Sequence, residues 1–189
     1  GVTEGGDEQY DVHVISVPDA EEVAVIEDCG RVNPGMLAWD ADSAGLYYIA
    51  TGGADDGEQM DKQLRHWTFG GSEETLLEHD DQHVWPGVDV DDDSGTVFVA
   101  FQEMVGGTDW SVLVDGDLRR VIESDAETGI NVQDGTVFLR TDYEAPNSRV
   151  LSCSVERFRE GGLTFEECDT VLPEREAVLQ SIVTTPEHI

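Results

Sequence analysis

Short apolar segments, each entered through a tight turn of Asp or Ser with Gly, recur along this chain and limit the folds that it can adopt. The three clearest turns end at Gly45, Gly95 and Gly135 and lead into the apolar runs 46–49, 97–100 and 137–139. The glycines are 50 and 40 residues apart. Glycine suits such turns because it adopts a positive φ at little steric cost. An interval of roughly 40–50 residues is typical of one four-stranded blade of a β-propeller.

Two further strand-like runs follow each turn, so the pattern predicts an all-β fold, a partial β-propeller of about three four-stranded antiparallel blades. The blades are expected at about residues 36–80, 83–125 and 128–174, with incomplete blades at 9–28 and 177–189. In the incomplete blades the runs 10–17, 22–27 and 177–184 are predicted as strands. Such an arc does not close, since closed propellers have about 4–8 blades. Its unpaired edges lead us to expect self-association.

The charge of the chain is a property of its whole surface. There are 42 acidic residues against 10 basic ones, a formal net charge of −32, and Lys62 is the only lysine. Because acidic residues occur in every segment, they do not mark one binding patch. Such a surface repels itself unless salt screens it, and the Debye length falls from about 8 Å at physiological salt to about 3 Å at 1 M. We therefore predict a halophilic source with a high-salt cytoplasm, and no nucleic-acid partner, since phosphates require clustered Lys and Arg.

The sequence contains no candidate membrane segment and only three cysteines. No apolar run reaches the roughly 20 residues of a membrane helix, so no membrane partner is expected. The chain lacks an initiator Met and a signal-like segment, so we expect it to be part of a longer protein. Its three cysteines, Cys29, Cys153 and Cys168, lack the spacing of metal ligands, and their odd number favours a reducing compartment. Cys153 and Cys168 fall in runs that could be neighbouring strands, so a disulfide and two separate thiols both remain open.

Motifs for catalysis and metal binding are incomplete. The run 70–74 matches only half of a G-x-S-x-G motif around Ser72 and lies between two strands, so Ser72 is predicted to be a turn residue. His79 and His83 have the i, i+4 spacing of metal ligands on a helix, but a loop between blades is favoured here. No catalytic residue, no metal site and no cofactor is therefore predicted within the chain.

Two other patterns receive structural interpretations. Asp89, Asp91 and Asp93 resemble the start of a calcium loop, but Ser94 replaces the required Gly and Ala100 replaces the Glu. We interpret the three Asp as an outward acidic strand face before a hairpin, with loose cation binding left open. Packing between blades is expected for most of the four tryptophans, a ligand platform being the alternative. They are Trp39, Trp67, Trp85 and Trp110.

Four short motifs occur in a recognisable order. They are Trp39 with Asp42 and Gly45, His83-Val84-Trp85 with Asp92-Asp93 and Gly95, Pro146-Asn147 with Arg149-Val150, and Leu172-Pro173-Glu174. Together they resemble the N-terminal β-propeller of the prolyl oligopeptidase family of serine peptidases. The resemblance covers most of the chain, to about residue 176. It implies a propeller that covers a separate α/β-hydrolase domain, in which catalysis takes place, and that admits only short peptides.

The resemblance also points to candidate substrate-binding residues. In that family the propeller supplies the substrate pocket with an arginine from the loop after the second strand of a blade. Here Gln102 stands at that place with Glu103 beside it, and a pocket-lining phenylalanine of the family falls near Pro34. Both cleavage after proline and cleavage after another residue remain alternatives, because this specificity would be determined mainly by the hydrolase domain, which these residues do not include. A stand-alone binding propeller and a metal-dependent domain using His79 and His83 are the alternative functions.

Overall fold

A computed structural model describes residues 10–31, 34–52 and 61–185 of the chain. Their strands form one two-stranded sheet and three four-stranded antiparallel sheets. The chain divides into two compact units, one ending at Asp89 and the other beginning at Val90. The prediction of an all-β fold is confirmed, and the three four-stranded antiparallel sheets match the blades of a partial β-propeller.

The first unit contains the two-stranded sheet and one four-stranded sheet. The pair consists of β1 (Tyr10–Ile15) and β2 (Glu22–Gly30). The larger sheet has the order β3-β4-β5-β6, with β3 at Leu37–Trp39, β4 at Gly45–Thr51, β5 at Lys62–Thr68 and β6 at Ser72–His79. A 3₁₀ turn at Pro34–Met36 precedes β3. Alternate residues of these strands, among them Val12, Ile26, Leu46, Tyr48 and Trp67, form the buried core of this unit.

The remaining strands form two four-stranded sheets, with the orders β10-β9-β8-β7 and β11-β12-β13-β14. In the first, β7 is Val84–Val90, β8 is Val97–Glu103, β9 is Thr108–Val114 and β10 is Asp117–Ile122. In the second, β11 is Thr128–Gln133, β12 is Thr136–Thr141, β13 is Arg149–Ser154 and β14 is Asp169–Leu172. The core of the second unit includes Phe98, Trp110, Val112, Leu139 and Phe158.

Glycine is required at two of the hairpins for different reasons: a positive φ at Gly135 and a close backbone contact at Gly45. Asp134 and Gly135 both have positive φ, 49° and 70°, as a two-residue turn between paired strands requires. Gly45 instead meets a close approach, because a Cβ at this position would lie 2.2 Å from the carbonyl oxygen of Trp67. A larger residue at position 45 would therefore push β4 away from β5.

One short helix interrupts the strand pattern. Helix α1 (Val155–Glu160) lies between β13 and β14. The Ser154 hydroxyl accepts a hydrogen bond from the Arg157 N–H at its start, and Gly161, with φ of 80°, ends it. Its buried residues Val155 and Phe158 pack into the core of the second unit. No helix among the described residues is long and apolar enough to cross a membrane.

One expected strand is absent from the described residues, and one tryptophan is largely exposed. The run 177–184 forms no strand. Its Leu179 N–H donates to the carbonyl of Asn147, which lies in a turn, at 2.8 Å. Trp67 and Trp110 are buried as predicted, but Trp39 is 47% exposed and stacks on Phe69, with 6.4 Å between the ring centroids.

Candidate functional site

The two candidate substrate-binding residues lie at the end of β8. Gln102 and Glu103 are both exposed, and Gln102 pairs with Thr108 at the start of β9. The Glu103 N–H donates to the Gly107 carbonyl at 3.1 Å, which closes the loop between the two strands. Both side chains therefore project from a short connection between paired strands.

The glycines of this loop allow it to pack closely. A Cβ on Gly106 would lie 2.1 Å from Oε2 of Glu103, so the carboxylate rests directly against the loop backbone. A Cβ on Gly107 would lie 2.0 Å from the Ser124 carbonyl oxygen. The Thr108 N–H donates to the Ala126 carbonyl at 3.0 Å. The loop is thus anchored on the connection that follows β10, and larger residues at 106 or 107 would displace it.

The connection that follows β10, residues 124–127, contacts both the loop after β8 and Asp142, which follows β12. The Glu127 N–H donates to Oδ1 of Asp142 at 2.8 Å, and the Asp142 N–H donates back to the Glu127 carbonyl at 3.3 Å. Asp142 follows Gly135 by seven residues, as Gln102 follows Gly95, so the two occupy equivalent positions in their sheets. We name the surface formed by Gln102, Glu103, residues 124–127 and Asp142 the candidate face.

An arginine that the sequence analysis did not single out borders the candidate face. The side chain of Arg140, only 13% exposed, contacts the Glu127 carboxylate and donates to the Ser148 hydroxyl at 3.2 Å. The sequence contains a signal for Arg140: it lies two residues before Asp142, the position found by counting seven residues from the hairpin glycine Gly135. Its charge is neutralised by Glu127, so the exposed groups of the face are amide and carboxylate oxygens.

The Pro-Asn-x-Arg motif holds the turn beside the candidate face. The Ser148 N–H donates to the Ala145 carbonyl at 2.7 Å, and Ala145 is buried. The Asn147 N–H donates to Oε1 of Glu174 at 2.8 Å. Two of the motifs that carry the resemblance, 27 residues apart, therefore contact each other directly. Their role here is to connect the β12–β13 turn with the segment after β14.

Tyr143 and Glu166 support the same turn. The Tyr143 ring stacks on Phe165, with 4.6 Å between centroids, and the Arg149 guanidinium lies 5.8 Å from its centre. The Tyr143 hydroxyl donates to Oε1 of Glu166 at 2.7 Å. This hydrogen bond raises the pKa of Tyr143 and lowers the pKa of Glu166. The turn is therefore supported from both sides by side-chain contacts.

The other candidate residues occupy turns and strand ends. Ser72 begins β6 and its hydroxyl lies 2.5 Å from the Thr68 hydroxyl, as expected of a hairpin residue. His79 ends β6, and His83 follows in a turn where its N–H donates to Oδ1 of Asp81 at 2.8 Å. The two histidines are thus not on one helix. Within the ranges that the structure describes, no group of three or more His, Cys, Asp or Glu side chains could hold a metal ion.

One of the three Asp of the calcium-like pattern points inward, contrary to the prediction of an outward acidic face. Asp91 is buried, and its carboxylate accepts hydrogen bonds from the N–H (3.1 Å) and hydroxyl (2.5 Å) of Ser94. Asp89 and Asp93 are exposed as predicted. Asp91 is buried because it supplies the hydrogen bonds of the turn before β8. The side chain of Pro34, near the expected phenylalanine position, lies outside the described residues.

Comparison with known structures shows the same fold in prolyl endopeptidases. One such structure has 20% identity and a TM-score of 0.76 over 90% of this chain. It comes from a study of two prolyl endopeptidases and of the role of inter-domain dynamics in catalysis and specificity. Prolyl oligopeptidase B from Galerina marginata, bound to a 25mer macrocyclization substrate, has 14% identity and a TM-score of 0.70, also over 90%. Its apo form gives 14% identity and 0.70 over 92%. The chain spans about a quarter of these proteins (26%, 27% and 27%).

Sequence comparison gives the family. No curated protein matches the chain. A family model described as "Prolyl oligopeptidase, N-terminal beta-propeller domain" matches residues 1–189. The match covers the propeller domain only and does not include a catalytic hydrolase domain. Because it extends over the whole sequence given, the chain belongs to the prolyl oligopeptidase N-terminal β-propeller family.

Proposed function

We propose that this chain is the non-catalytic propeller portion of a serine-type oligopeptidase, in which it controls the access of short peptides to the active site of a separate hydrolase domain. The observation that carries the proposal is the propeller-domain family match over all 189 residues. The three four-stranded sheets support it, since they are blades of the kind that such a domain requires.

Gating has a direct physical benefit for such an enzyme. A cover that closes over the active site excludes water and strengthens the electrostatic interactions within it. It also holds the substrate in place during the reaction. A folded protein cannot enter an enclosed site, so the cover selects short and unstructured peptides.

The candidate face supplies the chemistry for peptide contacts. The exposed Gln102 amide can donate to a peptide carbonyl and accept from a peptide N–H. Exposed Glu103 and Asp142, together with Glu127 beside Arg140, make the surroundings acidic. This face would therefore favour a peptide with a positive charge, such as a free N-terminal amine or a basic side chain.

The first test is fluorophosphonate labelling of the full-length protein in high salt. We expect labelling of a serine outside these 189 residues, because fluorophosphonates react with the activated serine of serine hydrolases. Correctly folded full-length protein that resists labelling would favour the alternative of a binding propeller without a hydrolase.

Substitution of Gln102 tests the role of the candidate face. In the full-length enzyme, Gln102→Ala should raise the KM for a short fluorogenic peptide by about 3–10-fold with little change in kcat, since about 0.5–1.5 kcal/mol of hydrogen bonding is lost. Gln82→Ala is the matched control, because Gln82 is an exposed residue of the turn before β7 and is not part of the candidate face. Equal effects of the two substitutions on KM would rule out a direct substrate contact of Gln102.

A further inference from the structure

Two cysteines of the second unit lie opposite each other. In the pairing of β13 with β14, Leu151 is opposite Thr170 and Ser152 is opposite Asp169. One further step in this register places Cys153 opposite Cys168, the residue that directly precedes β14. Both thiols are free and half-buried in this structure.

The backbone around Cys168 favours a close approach of the two side chains. The Cys168 N–H donates to the Phe165 carbonyl at 3.2 Å, within its own chain segment and not across to Cys153. Opposite residues that exchange no backbone hydrogen bonds are the closer kind of antiparallel pair, with about 4.5 Å between Cα atoms. A disulfide needs Cα atoms about 4.4–6.8 Å apart. Cys153 and Cys168 therefore stand where a disulfide can form without moving the strands.

The surroundings distinguish the two thiols. The Cys168 thiol donates a hydrogen bond to the Thr164 carbonyl, with 3.7 Å between sulfur and oxygen, and it interacts with the thiol of Cys153. The interaction between the two thiols lowers the pKa of Cys168 and, together with burial, raises the pKa of Cys153. Burial and the Glu167 carboxylate oppose this lowering of the Cys168 pKa, and the Arg157 guanidinium, 2.9 Å from Glu167, adds a smaller favourable effect. Cys168 therefore ionises first and is the nucleophile of the pair.

We propose that Cys153 and Cys168 form a redox-active dithiol that closes to a disulfide by exchange with a low-molecular-weight disulfide. The Cys168 thiolate attacks one sulfur of the small disulfide, which forms a mixed disulfide and releases one small thiolate. Cys153 then loses its proton and attacks the Cys168 sulfur, which releases the second small thiol. The two protein thiols lose two electrons and two protons, and the small disulfide is reduced to two thiols.

The bond would add a covalent link to a segment that is held by packing and by hydrogen bonds, such as that from the Leu163 N–H to the Val121 carbonyl at 2.8 Å. Residues 154–167, which include α1, connect the two cysteines, so the disulfide would close a loop of about 15 residues and restrict the unfolded chain. We expect oxidation to raise the Tm of the second unit by roughly 5–10 °C. The state of this pair would thus adjust the stability of one blade to the redox state of the surroundings.

Peptide mapping of the full-length protein tests the proposal. The folded protein is incubated in high salt with oxidised glutathione, which is then removed. The remaining thiols are alkylated in denaturant, and the protein is digested with trypsin without reduction. Trypsin cleaves after Arg149, Arg157, Arg159 and Arg175, so a Cys153–Cys168 disulfide joins peptide 150–157 to peptide 160–175. We expect this joined pair, its separation on reduction, and an alkylated Cys29 in the same digest. Cys29 is the internal control, because burial raises its pKa to about 11.

Single substitutions test the order of the two steps. Cys153→Ser should accumulate glutathione on Cys168, and this adduct should form faster than the adduct on Cys153 in Cys168→Ser, because only the thiolate attacks. Joined peptides that appear only after unfolding would overturn the proposal. So would an excess of oxidised glutathione that leaves both thiols free in the folded protein, or adducts that form faster on Cys153.

Discussion

Truncation of Phe158 tests whether the short helix α1 forms part of the core of its unit. Phe158 is fully buried (0% exposed), and its ring centroid lies 5.4 Å from that of Phe98. Loss of the buried ring costs about 2–3 kcal/mol of transfer free energy. A cavity of roughly 100 Å³ that half collapses adds about 1 kcal/mol, at about 24 cal/mol per Å³. We therefore expect Phe158→Ala to lower the free energy of unfolding by about 3–5 kcal/mol, the usual range for a buried Phe.

Thermal unfolding in high salt, followed by near-ultraviolet circular dichroism, measures the effect. For a chain of this size a loss of 1 kcal/mol lowers the Tm by about 2–4 °C, so Phe158→Ala should lower it by about 6–20 °C. Phe69→Ala is the comparison variant: this ring is 45% exposed and contacts Trp39 and Trp67, so its removal should cost about 1–2 kcal/mol, less than that of Phe158. Equal Tm changes for the two variants would refute the conclusion that α1 packs as part of the core.

Three further predictions concern salt, acid and a buried hydroxyl. The Tm should rise steadily from about 0.1 M to about 3 M KCl because salt screens the repelling carboxylates, and a flat curve would refute the halophilic prediction. Burial alone would raise the pKa of Asp40, but hydrogen bonds from His66 and the Gly45 N–H outweigh burial and hold the pKa below its ordinary 3.8. The resulting stability is present above about pH 3.8 and lost as the pH falls through the lowered pKa, so Asp40→Asn should flatten that limb of a stability–pH series, and an unchanged limb would contradict the assignment. Tyr48→Phe removes a 2.6 Å hydrogen bond to the Glu73 carboxylate and should lower the unfolding free energy in urea by about 1.5–3 kcal/mol, whereas an unshifted midpoint would show that this bond contributes nothing.

The start of a strand in this chain can be predicted from the turn residues that precede it. The Asp-Gly turn at 134–135 has the positive φ angles that only a few residue types adopt readily, so it marks the start of β12 in the sequence itself. Helix α1 was not predicted, because its six residues form fewer than two helical turns. Such a short segment shows no periodic pattern of apolar residues. The run 177–184 resembles a strand in composition, but composition does not decide whether a segment pairs, because strand formation depends on tertiary context.

The candidate site was predictable only in part. Gln102 and Glu103 were found because a resemblance to a family assigned a role to their position. That Asp142 shares their face follows from hydrogen bonds through residues 124–127, which no local motif signals. Arg140 carries a charge in the sequence, but its pairing with Glu127 appears only in the structure.

The sequence by itself determined the all-β class, the repeat of about one blade per 40–50 residues, the family and the acidic surface, because each depends on residue types and their spacing along the chain. Only the tertiary structure showed that Asp91 is buried in a turn, that Asn147 meets Glu174, and that Cys153 stands opposite Cys168. These contacts depend on strand order and register. A shift of one residue in register moves every side chain to the other face, and the alternating pattern of a single strand does not name its partner.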